Sequence, residues 1–505
     1  MKTALKRGAE PGDRAAPRSR LRQTPLMLCL GLACVSPLHG LEAGAGPAAT
    51  NAPPALTLEA AIDAALQNNR EIKTLTVDLR SRALAVDAAD AAFQWQWRPN
   101  GVAEAGSGDA RFDYGLTASR RTVFGTEASL SSRIGRAANA DDAGPRSSEL
   151  MVRIDQPLLR RLGPLVNREP VTRAESQLAA ARRELELRRA DLVLRTVEAY
   201  EDLYRLQRQL DLTGLTVERL RQFVALTRAR ERQGRASSAD TLRAEQKLGG
   251  AQIRLATSLE ALSSRRSDFA DLLGAAPGAA WDVLPAARLE LPPGAEEEAV
   301  RVALSNRLDY AQIQQDRDDA LRGLRIARRS LLPDLKLISR YEQYGSGDSV
   351  RNALGADSDA WFVGVAVESD FPRTSERISV DQAALGVEAA RIQMDAVRAA
   401  VARQVRQELG AGERLKKQES LAKRNHAVAR GRVKLARRQF ESGKCDADAV
   451  AVAEDELRDA EQQLLDAEAG AFVSAYRVLR VLGNLIEAPQ DLKPRPDCDA
   501  RKAEA

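Results

Sequence analysis

Residues able to do covalent chemistry are few in this 505-residue chain, and they are scattered. Its two histidines are His39, near the N-terminus, and His426, alone among Lys and Arg residues on a basic helix. That leaves no His-based nucleophile and no metal cluster. Cys445 and Cys498 are too separated for a disulfide framework or a metal site. Carboxylates such as Asp370 and Glu376 are isolated, and charges on long helices ordinarily form solvated faces. The expectation is a protein with no catalytic residue, no cofactor and no metal. The carboxylates that stand out sit beside glycines: Asp240 six residues after Gly234, and Asp446 and Asp448 just after Gly443. Read from the residues alone, Asp240 beside Ser237 and Ser238 is suited to capping a helix start.

What positions them is a repeat. Gly234 lies 40 residues before Gly274 of a Leu-Gly pair, and Gly443 lies 40 residues before Gly483 of another, an offset of 209 residues both times. No proline occurs between Pro170 and Pro277 or between Pro372 and Pro489. Each stretch reads as a helical hairpin turning at its glycine, and equal length implies two equivalent helices spanning the same distance. The first arm, of about 60 residues, is roughly 90 Å long at 1.5 Å per residue. Ala199, Leu206, Thr213 and Leu220 alternate with Leu203, Leu210, Val217 and Val224 in a 3.5-residue stripe, a coiled-coil seam.

Composition agrees. Aromatics are only 4% of the chain, which favours close, repetitive helix packing over a compact core. The net charge of +5 invites a nucleic-acid reading, yet residues 1–45 carry seven Lys/Arg against three Asp/Glu and account for most of it. No nucleic-acid partner is expected. That segment has the parts of a secretory signal: a basic stretch through Arg22, an apolar run from Leu26 to Val35, and Ala43-Gly44-Ala45 as a cleavage pattern. Cys34, after Leu32-Ala33, is a candidate for lipidation, although Gly31 stands where a lipobox prefers leucine. Beyond residue 45 no apolar run reaches the 18 or so residues of a membrane helix.

Before each hairpin the pattern is helix, then strands. Leu56 to Ala92 reads as one helix closed by Pro99, and a second copy starts at Glu296–Glu298 and closes at Pro333. Leu335, Leu337 and Tyr341 oppose Lys336, Arg340 and Glu342; Trp361, Val363, Val365 and Val367 oppose Gly364, Ala366 and Glu368. The pair predicts a hairpin of about ten-residue strands with 345–357 as its loop, a length that fits an outer-membrane barrel and equally an ordinary half-buried hairpin. In the first copy Phe112, Tyr114, Leu116 and Ala118 alternate, as do Leu150, Val152 and Ile154. An extra candidate strand, 127–136, breaks the symmetry.

The combination resembles the TolC family of outer-membrane efflux proteins (outer membrane factors) along nearly the whole mature sequence. The opening helix Leu56-Thr57-Leu58-Glu59-Ala60-Ala61 with Ala64-Ala65-Leu66-Gln67-Asn68-Asn69 is similar to the family's. So are the junction Gln156-Pro157-Leu158-Leu159 with Gly163 and Asn167-Arg168, the turn at Gly234 with Asp240, the turn at Gly443, and the closing Leu-Gly of each copy. The resemblance implies an α+β membrane protein: a homotrimer with a long coiled α-helical barrel and a shared 12-stranded transmembrane β-barrel, four strands per protomer, from two internal repeats. The domains expected are a signal peptide 1–45, a first repeat 56–273, a second repeat 296–483 and a C-terminal tail 484–505.

The function implied is a passive exit duct joining an inner-membrane transporter and a periplasmic adaptor, set in outer-membrane lipid and extending into the periplasm. The alternative is an exported coiled-coil scaffold or adaptor, although an adaptor usually has one helical hairpin. On the resemblance, Gly234, Arg235, Gly443 and Lys444 mark the adaptor-contact turns, and Asp240, Asp446 and Asp448 are candidates for the periplasmic gate. The family's latch uses an aromatic hydroxyl just before the second glycine and a basic residue just after it. Phe440 and Cys445 stand there, so the latch is expected to be missing or rebuilt from Lys444 and Arg235.

Overall fold

The computed structural model describes residues 55–105, 109–139, 146–276, 279, 281–289, 295–369 and 371–495. The expected signal peptide, Cys34, Asp370 and the end of the expected C-terminal tail lie outside them. The first repeat opens with β1 (Ala55–Leu56), α1 (Leu58–Asn68) and α2 (Arg70–Ala91). Four strands follow: β2 (Gln96–Ala105), β3 (Asp109–Arg121), β4 (Glu127–Asn139) and β5 (Arg146–Pro157). A short α3 (Pro164–Asn167) precedes the hairpin of α4 (Glu169–Arg232) and α5 (Ser238–Leu273). β6 (Asp282–Val283) lies between the repeats, and the second comprises α6 (Glu296–Asn306), α7 (Leu308–Ser330), β7 (Asp334–Gly347), α8 (Val350–Ala353) and β8 (Ser358–Glu368). Its hairpin is α9 (Thr374–Glu441) and α10 (Ala447–Val481).

The expected single helix over 56–92 is two helices. Asn69 breaks it: its side chain accepts from the Glu71 N–H at 2.9 Å and donates to the Leu272 carbonyl at 2.9 Å. Such local bonds let a polar side chain replace a helical turn while the apolar spacing continues, so periodicity hides the break. The second repeat breaks at Arg307, which pairs with Asp309 at 2.5 Å.

The helical arms obey the 209-residue register. Gly234, Gly274, Gly443 and Gly483 all have φ between 67 and 74°, the left-handed conformation that glycine adopts without a Cβ penalty. Each closes its helix in the same way: the glycine N–H bonds three residues back and the next N–H five back, as in Gly234 to Glu231 and Arg235 to Arg230. In the seam, Leu203, Val217, Leu220 and Val224 are buried, while Ala199, Leu206 and Leu210 are partly so. Tyr200 anchors the repeats at mid-height. Its hydroxyl lies 2.8 Å from the Leu56 carbonyl and 2.7 Å from that of Leu284, on the two segments that hold β1 parallel to β6.

The strands correct an expectation. Apart from the short parallel pair β1-β6, the strands form one antiparallel sheet in the order β2-β3-β4-β5-β7-β8, so the described residues hold six such strands where four were expected. The stretch at 127–136 is β4, paired along its length with β3 and β5. Pro99 lies inside β2 and does not end the preceding helix; β2 is an edge strand, where a missing N–H is tolerated.

Candidate functional site

Two surfaces are candidates for function: the hairpin tips and the two faces of the sheet. At the first tip Ser237 caps α5. The Ser237 N–H and Oγ donate to Asp240 Oδ2 at 3.0 and 2.8 Å, and the Asp240 N–H donates back to Ser237 Oγ at 3.2 Å. This reciprocal box uses one carboxylate oxygen of Asp240 and fixes the side chain beside the tip. Thr241 Oγ1 donates to Glu231 across the turn at 2.7 Å and, with Ser238, holds the Glu231 carboxyl below its ordinary range. At the second tip Asp446 takes the capping place of Ser237 without a side-chain cap, and Ala449 replaces Asp240. Asp446 and Asp448 are exposed there, as are Gly443 and Lys444. The Cys445 thiol leans on the Ala436 carbonyl, and burial, helped by Asp446, pushes its pKa up.

The cation that reaches Phe440 is Arg230, not the expected Arg235 or Lys444. Its guanidinium sits 4.5 Å from the Phe440 ring centroid and donates to the Phe440 carbonyl. Phe440 is 4% exposed, with the Phe223 ring 5.3 Å away. The two hairpins are thus joined one turn above the tips by an aromatic contact and an arginine, a linkage that needs no hydroxyl.

Above the tips, buried charges tie α4, α9 and α10 together. Glu454, 4% exposed, accepts from Arg219 at 3.2 Å and from Arg437 at 2.5 Å. Glu461, one heptad on, lies 3.9 Å from Arg219, and burial raises its pKa. Farther up, Glu419 accepts from Arg288 at 2.5 Å and Lys423 at 2.6 Å; burial opposes its ionisation, but those bonds prevail and keep its pKa low. Glu201 is buried near Arg288 and Glu468, and burial raises its pKa to about 7. Sequence reasoning missed these groups. The available signal was Glu454 and Glu461 seven residues apart among Val450, Ala453, Leu457 and Ala460, a charged interruption of an apolar stripe.

The sheet has two unlike faces. Opposed residues in an antiparallel ladder share a face, and the registers Leu116↔Ser132, Leu130↔Val152, Val152↔Tyr341 and Tyr341↔Trp361 carry one face through five strands. It holds Trp97, Phe112, Tyr114, Leu116, Leu130, Val152, Ile154, Leu337, Tyr341, Trp361, Val363 and Val365, all exposed in the single chain. The other face is charged. Arg111 pairs with Asp113 at 2.9 Å, Arg133 with Glu149 at 3.6 Å, Arg153 with Asp155 at 3.0 Å and Arg340 with Glu342 at 2.9 Å. Among the described residues no helix is long and apolar enough to cross a membrane, and no cluster of His, Cys, Asp or Glu is placed to hold a metal ion.

Comparison with known proteins follows the same lines. Residues 299–484 match the family model described as outer membrane efflux protein. The fusaric acid resistance protein FusA of Burkholderia cepacia is 27% identical over 179 residues, covering 35% of this chain and 34% of that protein. The matched stretch thus spans about a third of that curated relative. Among solved structures, the outer-membrane channel OprN is 18% identical, with a TM-score of 0.66 over 85% of this chain and 90% of that one. The outer membrane protein VceC of Vibrio cholerae is 16% identical, with a TM-score of 0.66 over 85% and 97%. CusC is 16% identical, with a TM-score of 0.67 over 84% and 92%. At these identities the likeness is one of fold.

Proposed function

We propose that this chain is a member of the outer membrane efflux protein family and the outer-membrane exit duct of a tripartite efflux or type I secretion system. Three copies conduct substrate passively from an inner-membrane transporter and a periplasmic adaptor to the exterior. The observation that carries the reading is the two-faced sheet set on paired helices roughly 100 Å long. An apolar face of this extent needs lipid, a charged face needs water, and a sheet with two open edges survives in lipid only when other copies close it. A periplasmic scaffold or adaptor leaves the apolar face uncovered.

The tips are the periplasmic end. Gly234, Arg235, Gly443 and Lys444 meet the adaptor, and Asp240, with Asp446 and Asp448, forms rings of carboxylates at the entrance that favour cations. Capping and gating are compatible at Asp240, because both cap bonds fall on Oδ2. The name of the FusA relative makes small-molecule resistance the first cargo class to test. Fractionation followed by crosslinking is expected to find an outer-membrane trimer released only by detergent; a soluble periplasmic monomer or dimer ends the proposal. Bilayer recordings of Asp240→Asn and Asp448→Asn are expected to show weaker cation selectivity, more so for Asp240. Unchanged selectivity in both removes these carboxylates from the entrance.

A further inference from the structure

We infer that the β3–β4 hairpin is part of the membrane wall, and that the β2 edge of one copy pairs with the β8 edge of the next, so that three copies close an eighteen-stranded barrel. The count of three rests on the duct reading above; the six strands rest on the sheet itself.

Three observations place the hairpin in the wall. β3 and β4 are 13 residues each, beside neighbours of 10 to 14, so they span the same height. Their apolar residues fall on the shared face: Phe112, Tyr114 and Leu116 on β3 continue through Leu130 and Ile134 on β4 to Val152 and Ser148 on β5. A hairpin standing in water has no reason to hold that phase, since a slip of one residue inverts every side chain. Finally, its turn is fastened to the junction between β5 and α3. The Gly163 N–H donates to the Phe124 carbonyl at 3.1 Å, and Thr126 bonds Gln156 at 2.5 Å. Gly125 has φ 93°, and a Cβ there would lie 2.7 Å from both Asn167 Nδ2 and Pro157 Cγ.

The edges fit a second copy. With six strands alternating in direction, β2 and β8 run opposite ways, so joining β8 of one copy to β2 of the next continues the antiparallel pattern. Barrel diameter grows roughly linearly with strand number, so eighteen strands give a lumen about half again as wide as twelve, with about twice the cross-section. Arginines and carboxylates alternate along its lining, as at Arg133 and Glu149, which suits bulky polar or charged cargo of either sign.

Excision tests this. Asp109 and Asn139 are register partners, so both outer ends of the hairpin meet at one end of the sheet, and removing residues 108–141 lets β2 continue into β5 and leaves four strands per chain. In planar bilayers, with polyethylene glycols of graded size added on the outer side, the full-length protein is expected to admit larger polymers than the excised one and to conduct about twofold more. Equal cut-offs from two trimers overturn the inference and leave the duct reading standing; absence of a trimeric channel in the full-length protein overturns the duct reading itself. Single cysteines in a cysteine-free full-length background provide a measure independent of the excised protein's folding. Thr117→Cys and Ser131→Cys are expected to react with a membrane-impermeant thiol reagent, and Leu116→Cys and Leu130→Cys to resist it. Any other pattern places the hairpin outside the wall.

Discussion

The two repeats agree where they are helical and differ where they are β. Their long arms measure 64 and 68 residues outward and 36 and 35 back, with glycine turns in one register. Their strand sections hold four strands and two. The difference separates two kinds of constraint. Helices packed side by side must reach the same plane, so a length change in one repeat strands the other. A β-hairpin starts and ends at the same level, so one can be added to a sheet without moving anything below it.

The two hairpins are tied together by charges buried between them, and removing one gives the largest effect. Glu454→Ala leaves Arg219 and Arg437 facing each other without their carboxylate, and loss of one member of such a buried pair costs about 3–5 kcal/mol. Scanning calorimetry in detergent is expected to show a large drop in Tm; a change below about 1 kcal/mol means that water reaches the site and the arms are held elsewhere.

Next in size is a pH effect. Glu201 titrates at about 7 in the folded protein because it is buried, against about 4.3 in an unfolded chain. The folded state therefore keeps a proton that the unfolded state has already lost. Stability is expected to fall as pH rises from about 4.5 to 7, by roughly 2 kcal/mol, and Glu201→Gln is expected to flatten that slope. Identical slopes in both proteins refute the assignment.

The turns sharpen the comparison. Gly234→Ala and Gly443→Ala each force a Cβ into a left-handed position, at about 1–2 kcal/mol apiece. Equal losses on thermal melting support equivalent turns, whereas a tenfold difference in sensitivity breaks the register argument at the tips. The smallest effect separates them instead. Ser237→Ala removes a capping box and is expected to cost about 1 kcal/mol, while Asp446→Ala removes no side-chain cap and costs a few tenths. A reversed order refutes the difference between the tips.

How legible all this was depends on the range of the interaction. The glycines at 234, 274, 443 and 483 could be read because a left-handed cap is dictated locally by one residue type. The alternation at 335–341 and 361–367 was equally local. The number of strands in the sheet was not, because pairing is a tertiary fact: β4 showed as an unplaced stretch, and β2, with Pro99 and Gly101 on its outer face, hardly alternates. The break at Asn69 was hidden because a capping side chain leaves the apolar spacing intact. Arg230 escaped notice because its partner Phe440 lies 210 residues away. Of the tip residues, Asp240 was visible in both its roles, as a carboxylate near the glycine and as the third residue after a serine.

The fastening of the β3–β4 turn beneath the β5–α3 junction has an arithmetical consequence. A strand section anchored at its base grows only by whole hairpins, two strands at a time, because an odd strand would deliver the chain to the wrong side of the bilayer. In a three-copy ring each such event is multiplied by three. On the closure inferred above, one added hairpin per chain therefore takes the barrel from twelve strands to eighteen in a single step, with no intermediate size.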